Sequence, residues 1–226
     1  MIDNNPSTAP ALQSLQPQLQ RGGRSTDEQT GVRWGDGWIL LGLWLAVAIA
    51  DLFWVLRDQA PPAWDQGEHL TRALNYWRVL QEPAWLDGDW WTTLWRLSPG
   101  YRAPLVYLAT VPIFNLLGRG FDQAVMVNLL FAGVLMVLLY ALGCCLFNRQ
   151  TGLWAAGLSL VVPAFYSLRL DYLLDLGLIV CVTAAFTSLT YWRGALARYR
   201  WMWALAFGLW AGLAILTKPT AVFFFC

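Results

Sequence analysis

The chain of 226 residues carries little charge. Only 13% of its residues are Asp, Glu, Lys or Arg, against roughly a quarter in soluble domains. It has one histidine, His69, and one lysine, Lys218. A net charge of +1 supplies no basic surface for nucleic acid. The four cysteines, Cys144, Cys145, Cys181 and Cys226, lie in apolar runs with no CxxC pair. That speaks against a zinc knuckle or a disulfide framework and leaves small apolar side chains in helices. No short charged segment followed by an apolar one opens the chain, so there is no signal-peptide pattern. The first apolar run is expected to be an uncleaved anchor.

What is abundant is apolar: 58% of the residues are hydrophobic, and the mean hydropathy is +0.45. The apolar residues come in runs at about 38–56, 124–147, 151–168, 174–192 and 202–217, each near the roughly 20 residues that cross a bilayer. A soluble core has too little interior to hide them. The expected class is an all-α, polytopic transmembrane helix bundle. Residues 1–36, rich in Gln, Pro, Ser and Gly, read as a disordered tail. Residues 37–226 read as one membrane domain. Because the chain stops inside the apolar run "AVFFFC", it is expected to be the N-terminal portion of a longer protein.

The run 103–118, "APLVYLATVPIFNLLG", is ambiguous, since it holds Pro112 and Asn115. The distribution of arginines decides how it is read. If it does not span, Arg21, Arg24 and Arg33 share a side with Arg149 and with Arg193, Arg198 and Arg200. That side is then cytoplasmic. The loop 57–123 becomes extracytoplasmic, with 103–118 lying at the outer interface. The outer face also receives the hinge "RLDYLLDL" and the sequence "LTKPT". Six tryptophans, Trp64, Trp77, Trp85, Trp90, Trp91 and Trp95, fall in the loop. Such rings favour the headgroup level, so the loop is expected to lie on the membrane. Within it, Leu70, Ala73, Leu74, Trp77 and Leu80 recur at helical spacing over 66–80, an amphipathic pattern.

The polar residues of this face have local readings. Asp65 follows "APPAW" and precedes the amphipathic segment, as an N-cap would, and Glu68 completes a capping-box pattern. Glu68 and Arg72 are also spaced i,i+4 for an ion pair. His69 lacks a second His or Cys at ligand spacing. Asp171 and Asp175 suit a helix N-terminus, with Arg169 as their natural partner. Ionisable groups at membrane depth are also functional candidates. Lys218 reads either as a snorkelling anchor or as a point charge for a phosphate. Asp51 lies in the first span, near its outer end or facing the bundle.

In chain order, "WDQGEHLTRALNYW", "DGDWW", "YRAPLVYL", Arg169 with Asp175, and "GLAILTKP" resemble the GT-C superfamily of membrane glycosyltransferases. The resemblance is to its protein O-mannosyltransferase and lipid A aminoarabinose transferase group. Asp65 matches the Asp of an Asp-Glu motif, and Gln66 replaces the Glu. Arg102 stands before the interfacial helix, and Lys218 matches a Lys followed by Gly, here Pro219.

The resemblance implies transfer of a hexose or pentose from a polyprenyl-phosphate donor to a protein, lipid or glycan acceptor outside the plasma membrane. It implies Asp65 as catalytic base and Arg102, Lys218 and Arg169 as donor-phosphate ligands. Asp175, Asp171 and Glu68 would orient the substrates. No definite cofactor follows. Tyr101 stands where some relatives carry a metal-binding glutamate, which speaks against a divalent metal. The other reading is a non-catalytic membrane protein, a transporter or carrier-lipid-binding subunit. The polar residues cluster at one face rather than at mid-depth, and no internal repeat is visible, which favours interfacial chemistry.

Overall fold

The computed structural model describes residues 34–97 and 102–226, and among these all regular structure is helical. Helix α1 spans Trp34–Val55, α2 Trp64–Gln81, α3 Gly88–Arg96, α4 Leu105–Leu117 and α5 Phe121–Leu146. They are followed by α6 (Arg149–Val161), α7 (Pro163–Leu170), α8 (Asp175–Gly194) and α9 (Arg200–Ile215). Short 3-10 turns cover Ala197–Tyr199 and Pro219–Phe224. The expected tail 1–36 overlaps α1: residues 34–36 are helical, and Asp36 is buried. Residues 1–33 and Tyr101, which entered the sequence reading, lie outside the described residues.

Helices α1, α5 and α8 are long and apolar enough to cross a membrane. Their exposed surfaces carry Leu41, Leu45, Ile49, Phe53, Leu130, Val137 and Phe186, as lipid-facing surfaces should. The expected span 151–168 is not one helix. It is α6 and α7, bent by 58° at a break. Proline supplies no N–H and crowds the residue before it out of the helical region. Val162, just before Pro163, is accordingly extended, at φ −64° and ψ 128°. The expected span 202–217 contributes a 16-residue helix, α9. Lys218 is extended ahead of Pro219, for the same reason. Helix α4 has 13 residues, about 20 Å of rise against a hydrocarbon core of about 30 Å.

The bundle has two ends. Helices α5 and α6 form an antiparallel hairpin whose turn is capped by Asn148, which accepts a 2.9 Å bond from the Thr151 amide. Near that turn, α1 begins. Asp36 accepts a 2.5 Å bond from the Tyr140 hydroxyl and is ion-paired with Arg149. At the opposite end, α2, α4, the start of α5 and the link 171–174 share a core of Ala73, Tyr76, Val106, Tyr107, Val125 and Tyr172. The buried stripe of α2 is His69, Ala73 and Tyr76, at i, i+4 and i+7. Leu70, Leu74, Trp77 and Leu80 pack against the same core from partly buried positions.

Candidate active site

The site residues expected from the sequence gather, with one exception, at the α2–α4 end. Helix α2 starts at Trp64 with Ala63 at the cap position and no side-chain cap. The capping-box expectation therefore fails. Asp65 sits inside the first turn, where the helix dipole favours an anion, and its side chain is 70% exposed.

Glu68 lies one turn further on. It bonds Arg72 at 2.5 Å and Arg102 at 2.6 Å. Arg102 also approaches Asp65, at 3.8 Å. The hydrogen bond from Arg72 holds the Glu68 carboxyl below its ordinary range, and the charge of Arg102 adds to this. Arg102 is placed by the entry to α4, where the Leu105 amide donates a 2.9 Å bond to the Leu216 carbonyl. That bond ties the Arg102 segment to the segment carrying Lys218. A cavity of about 170 Å3 opens there, lined by Tyr76, Trp95, Arg102, Pro104, Leu216 and Pro219.

Lys218 donates a 2.8 Å bond to Asp175, the first residue of α8. Asp171 accepts a 2.5 Å bond from the Gln66 amide. The Asp171 main-chain carbonyl in turn accepts a 2.8 Å bond from buried Asn128. Gln66, which departs from the Asp-Glu pattern, thus couples α2 to the hinge before α8. An amide can donate to a carboxylate, whereas an ionised Glu could not. The result is a chain of contacts: Asp65, Glu68 and Arg102 on one side, Gln66 to Asp171 across the middle, and Asp175 with Lys218 on the other.

Arg169 is the exception. It is 3% exposed and sits in the bundle, its Nε 2.6 Å from Asp51 and its Nη1 2.8 Å from the Leu160 carbonyl. Its partner is Asp51 on α1, neither Asp171 nor Asp175. Leu160 lies in the last turn of α6, where carbonyls have no intrahelical partner. Arg169 therefore satisfies the backbone that the α6–α7 break leaves open.

His69 is buried behind the cluster and shares a 2.7 Å hydrogen bond through Nδ1 with the Tyr107 hydroxyl. Burial, reinforced by the Arg102 charge, lowers its pKa to about 4. Burial raises Tyr107 to about 12. Both are neutral at neutral pH, and the pair forms a polar floor beneath Glu68 and Arg102. Tyr107 was missed in the sequence. Its signal was weak: one tyrosine in an apolar run, readable only once α4 is packed on α2. Among the described residues, no group of three or more His, Cys, Asp or Glu side chains is arranged to hold a metal ion.

A helical integral membrane protein with paired charges gathered at one end of its bundle is the class that fold and site define. Residues 101–226 match the family of dolichyl-phosphate-mannose-protein mannosyltransferases, and the chain belongs to that family of membrane glycosyltransferases. No curated protein and no solved structure matches it. The matched segment contains Arg102, Asp171, Asp175 and Lys218, while Asp65, Gln66 and Glu68 precede it.

Proposed function

We propose that the α2–α4 end transfers a sugar from a polyprenyl-phosphate donor to an acceptor hydroxyl at the extracytoplasmic face. The family's name points to a dolichyl-phosphate mannose donor and a protein acceptor. A lipid or glycan acceptor is the other option. The observation that carries the reading is the meeting of Asp65, Arg102, Asp175 and Lys218 from four separate parts of the chain at one end of the bundle.

The chemistry follows from the residue types. The acceptor oxygen attacks the anomeric carbon from the side opposite the phosphate, and the configuration inverts. Asp65, exposed and on a rigid helix, takes the acceptor proton as general base. The bond from the anomeric carbon to the phosphate oxygen breaks, and the polyprenyl phosphate leaves with added negative charge. Arg102 and Lys218 stabilise that charge. Their present carboxylate partners, Glu68 and Asp175, hold them in place and orient substrate hydroxyls together with Asp171. Arg169, buried and held by Asp51 and the Leu160 carbonyl, is left out of the proposed phosphate site. The end carrying Arg149, Arg193, Arg198 and Arg200 faces the cytoplasm of a plasma membrane.

The test is donor binding by the reconstituted protein. Arg102→Gln and Lys218→Gln should each weaken binding of a polyprenyl-phosphate sugar about 10- to 100-fold, the range for a lost hydrogen bond to a charged group. Binding of the polyprenyl alcohol, which has no phosphate, should not change. Equal loss for both ligands would remove the two cations from the phosphate site.

A further inference from the structure

The opposite end of the bundle carries a second feature, independent of sugar transfer. After Asp175 the remaining sequence holds no Asp or Glu, yet Arg193, Arg198 and Arg200 fall within the link between α8 and α9. All three are exposed, and none forms an ion pair among the described residues. Beside them lies an apolar groove of about 520 Å3, lined by Ala195, Leu196, Tyr199, Met202, Trp203 and Ala206.

Two arginines are anchored to the lining of that groove. The Arg198 guanidinium sits 4.6 Å over the Tyr199 ring. Arg200 donates from Nε to the Ala195 carbonyl at 3.2 Å and lies 5.7 Å over the Trp192 ring. Stacking and one main-chain bond fix the guanidinium planes and leave most of their N–H groups for an anion, of which each guanidinium has five. The floor of the groove is held by Trp203, stacked on Tyr191 at 4.8 Å. An apolar trough with two oriented guanidinium groups at its rim, at the end of two membrane-embedded helices, matches a molecule with one acyl chain alongside and a negative headgroup above.

We propose that this groove binds an anionic phospholipid of the bilayer, its phosphate on Arg198 and Arg200 and one acyl chain along Leu196, Met202 and Ala206. The test is native mass spectrometry of the intact protein taken from vesicles of phosphatidylcholine containing phosphatidylglycerol. The expected result is one retained phosphatidylglycerol in preference to phosphatidylcholine. R198Q/R200Q should weaken retention about 25-fold, at about fivefold per arginine. Arg78→Gln, an exposed arginine on α2, should leave retention unchanged. Ala206→Phe fills the trough without altering charge and should also release the lipid. Retention that ignores headgroup charge, that survives R198Q/R200Q, or that survives Ala206→Phe would overturn the proposal. So would displacement of the lipid by inorganic phosphate alone, which would make the site one for a free anion.

Discussion

Replacing Asp51 and Arg169, singly and together, tests whether their pair organises the bundle. Both side chains are 4% exposed, and the contact is 2.6 Å. Asp51→Leu leaves a buried guanidinium without a counter-charge, holding the Leu160 carbonyl and the Tyr166 ring. Arg169→Met leaves a buried carboxylate without its partner and opens the Leu160 carbonyl. Each single change should destabilise by about 3–5 kcal/mol, the range for breaking a buried ion pair. The double variant buries no charge. What it loses is the acceptor role of one carbonyl, about 1–3 kcal/mol. The double variant should therefore be more stable than either single by about 2 kcal/mol. Reversible unfolding in mixed micelles, followed by circular dichroism, reads the three differences. A double variant as unstable as the sum of the singles would refute the view that each charge is tolerated only because of the other.

Two further predictions concern packing and pH. Folding favours neutral His69, because its pKa falls from 6.5 to about 4 in the folded protein. Its contribution is full above pH 6.5 and shrinks as the pH falls towards 4, by about 2 kcal/mol at pH 5 and about 3 kcal/mol in all. The stability gap between the wild type and His69→Gln should narrow across that window, and a pH-independent gap would contradict the burial of a neutral imidazole. A Cβ on Gly152 would lie 2.6 Å from the Tyr140 carbonyl oxygen and 2.9 Å from the Cys144 Sγ. Gly152→Ala should destabilise the α5–α6 hairpin by about 1–3 kcal/mol in a thermal melt. Gly208→Ala, whose Cβ meets nothing within 4 Å, should be neutral or stabilising by up to about 1 kcal/mol.

The membrane class was legible because length and apolarity alone identify spanning helices, and α1, α5 and α8 satisfy both. The break in the run 151–168 was written in Val162-Pro163, but average apolarity over the run hid it. The buried stripe of α2 was legible in part. Of the apolar positions read from the sequence, Ala73 lies at its centre and Leu70, Leu74, Trp77 and Leu80 are partly buried, while His69 and Tyr76 complete the centre. Pairings were the least legible. Arg169 has two aspartates within six residues, yet it reaches Asp51, 118 positions away. A local rule cannot see that an α6–α7 break turns the arginine into the bundle. Gln66 looked like a weakened motif, and only the position of Asp171 shows what an amide does there. Motif order placed Asp65, Arg102, Asp175 and Lys218 on one face but not their pairings: Asp175, read beside Arg169, bonds Lys218 instead.

The proposed role of Asp65, the base of a sugar transfer whose donor is held by its phosphate, is open to direct test. The most direct measurement is transfer of a radiolabelled sugar from a polyprenyl-phosphate donor by the reconstituted protein and by Asp65→Asn, with donor binding followed in parallel. Asn keeps the size and hydrogen-bonding reach of Asp but cannot accept the proton. The expected result is a loss of turnover of about 100-fold or more, the usual contribution of a general base, with donor binding and membrane insertion intact. Turnover by Asp65→Asn close to that of the wild type, with the donor bound equally well, would contradict it.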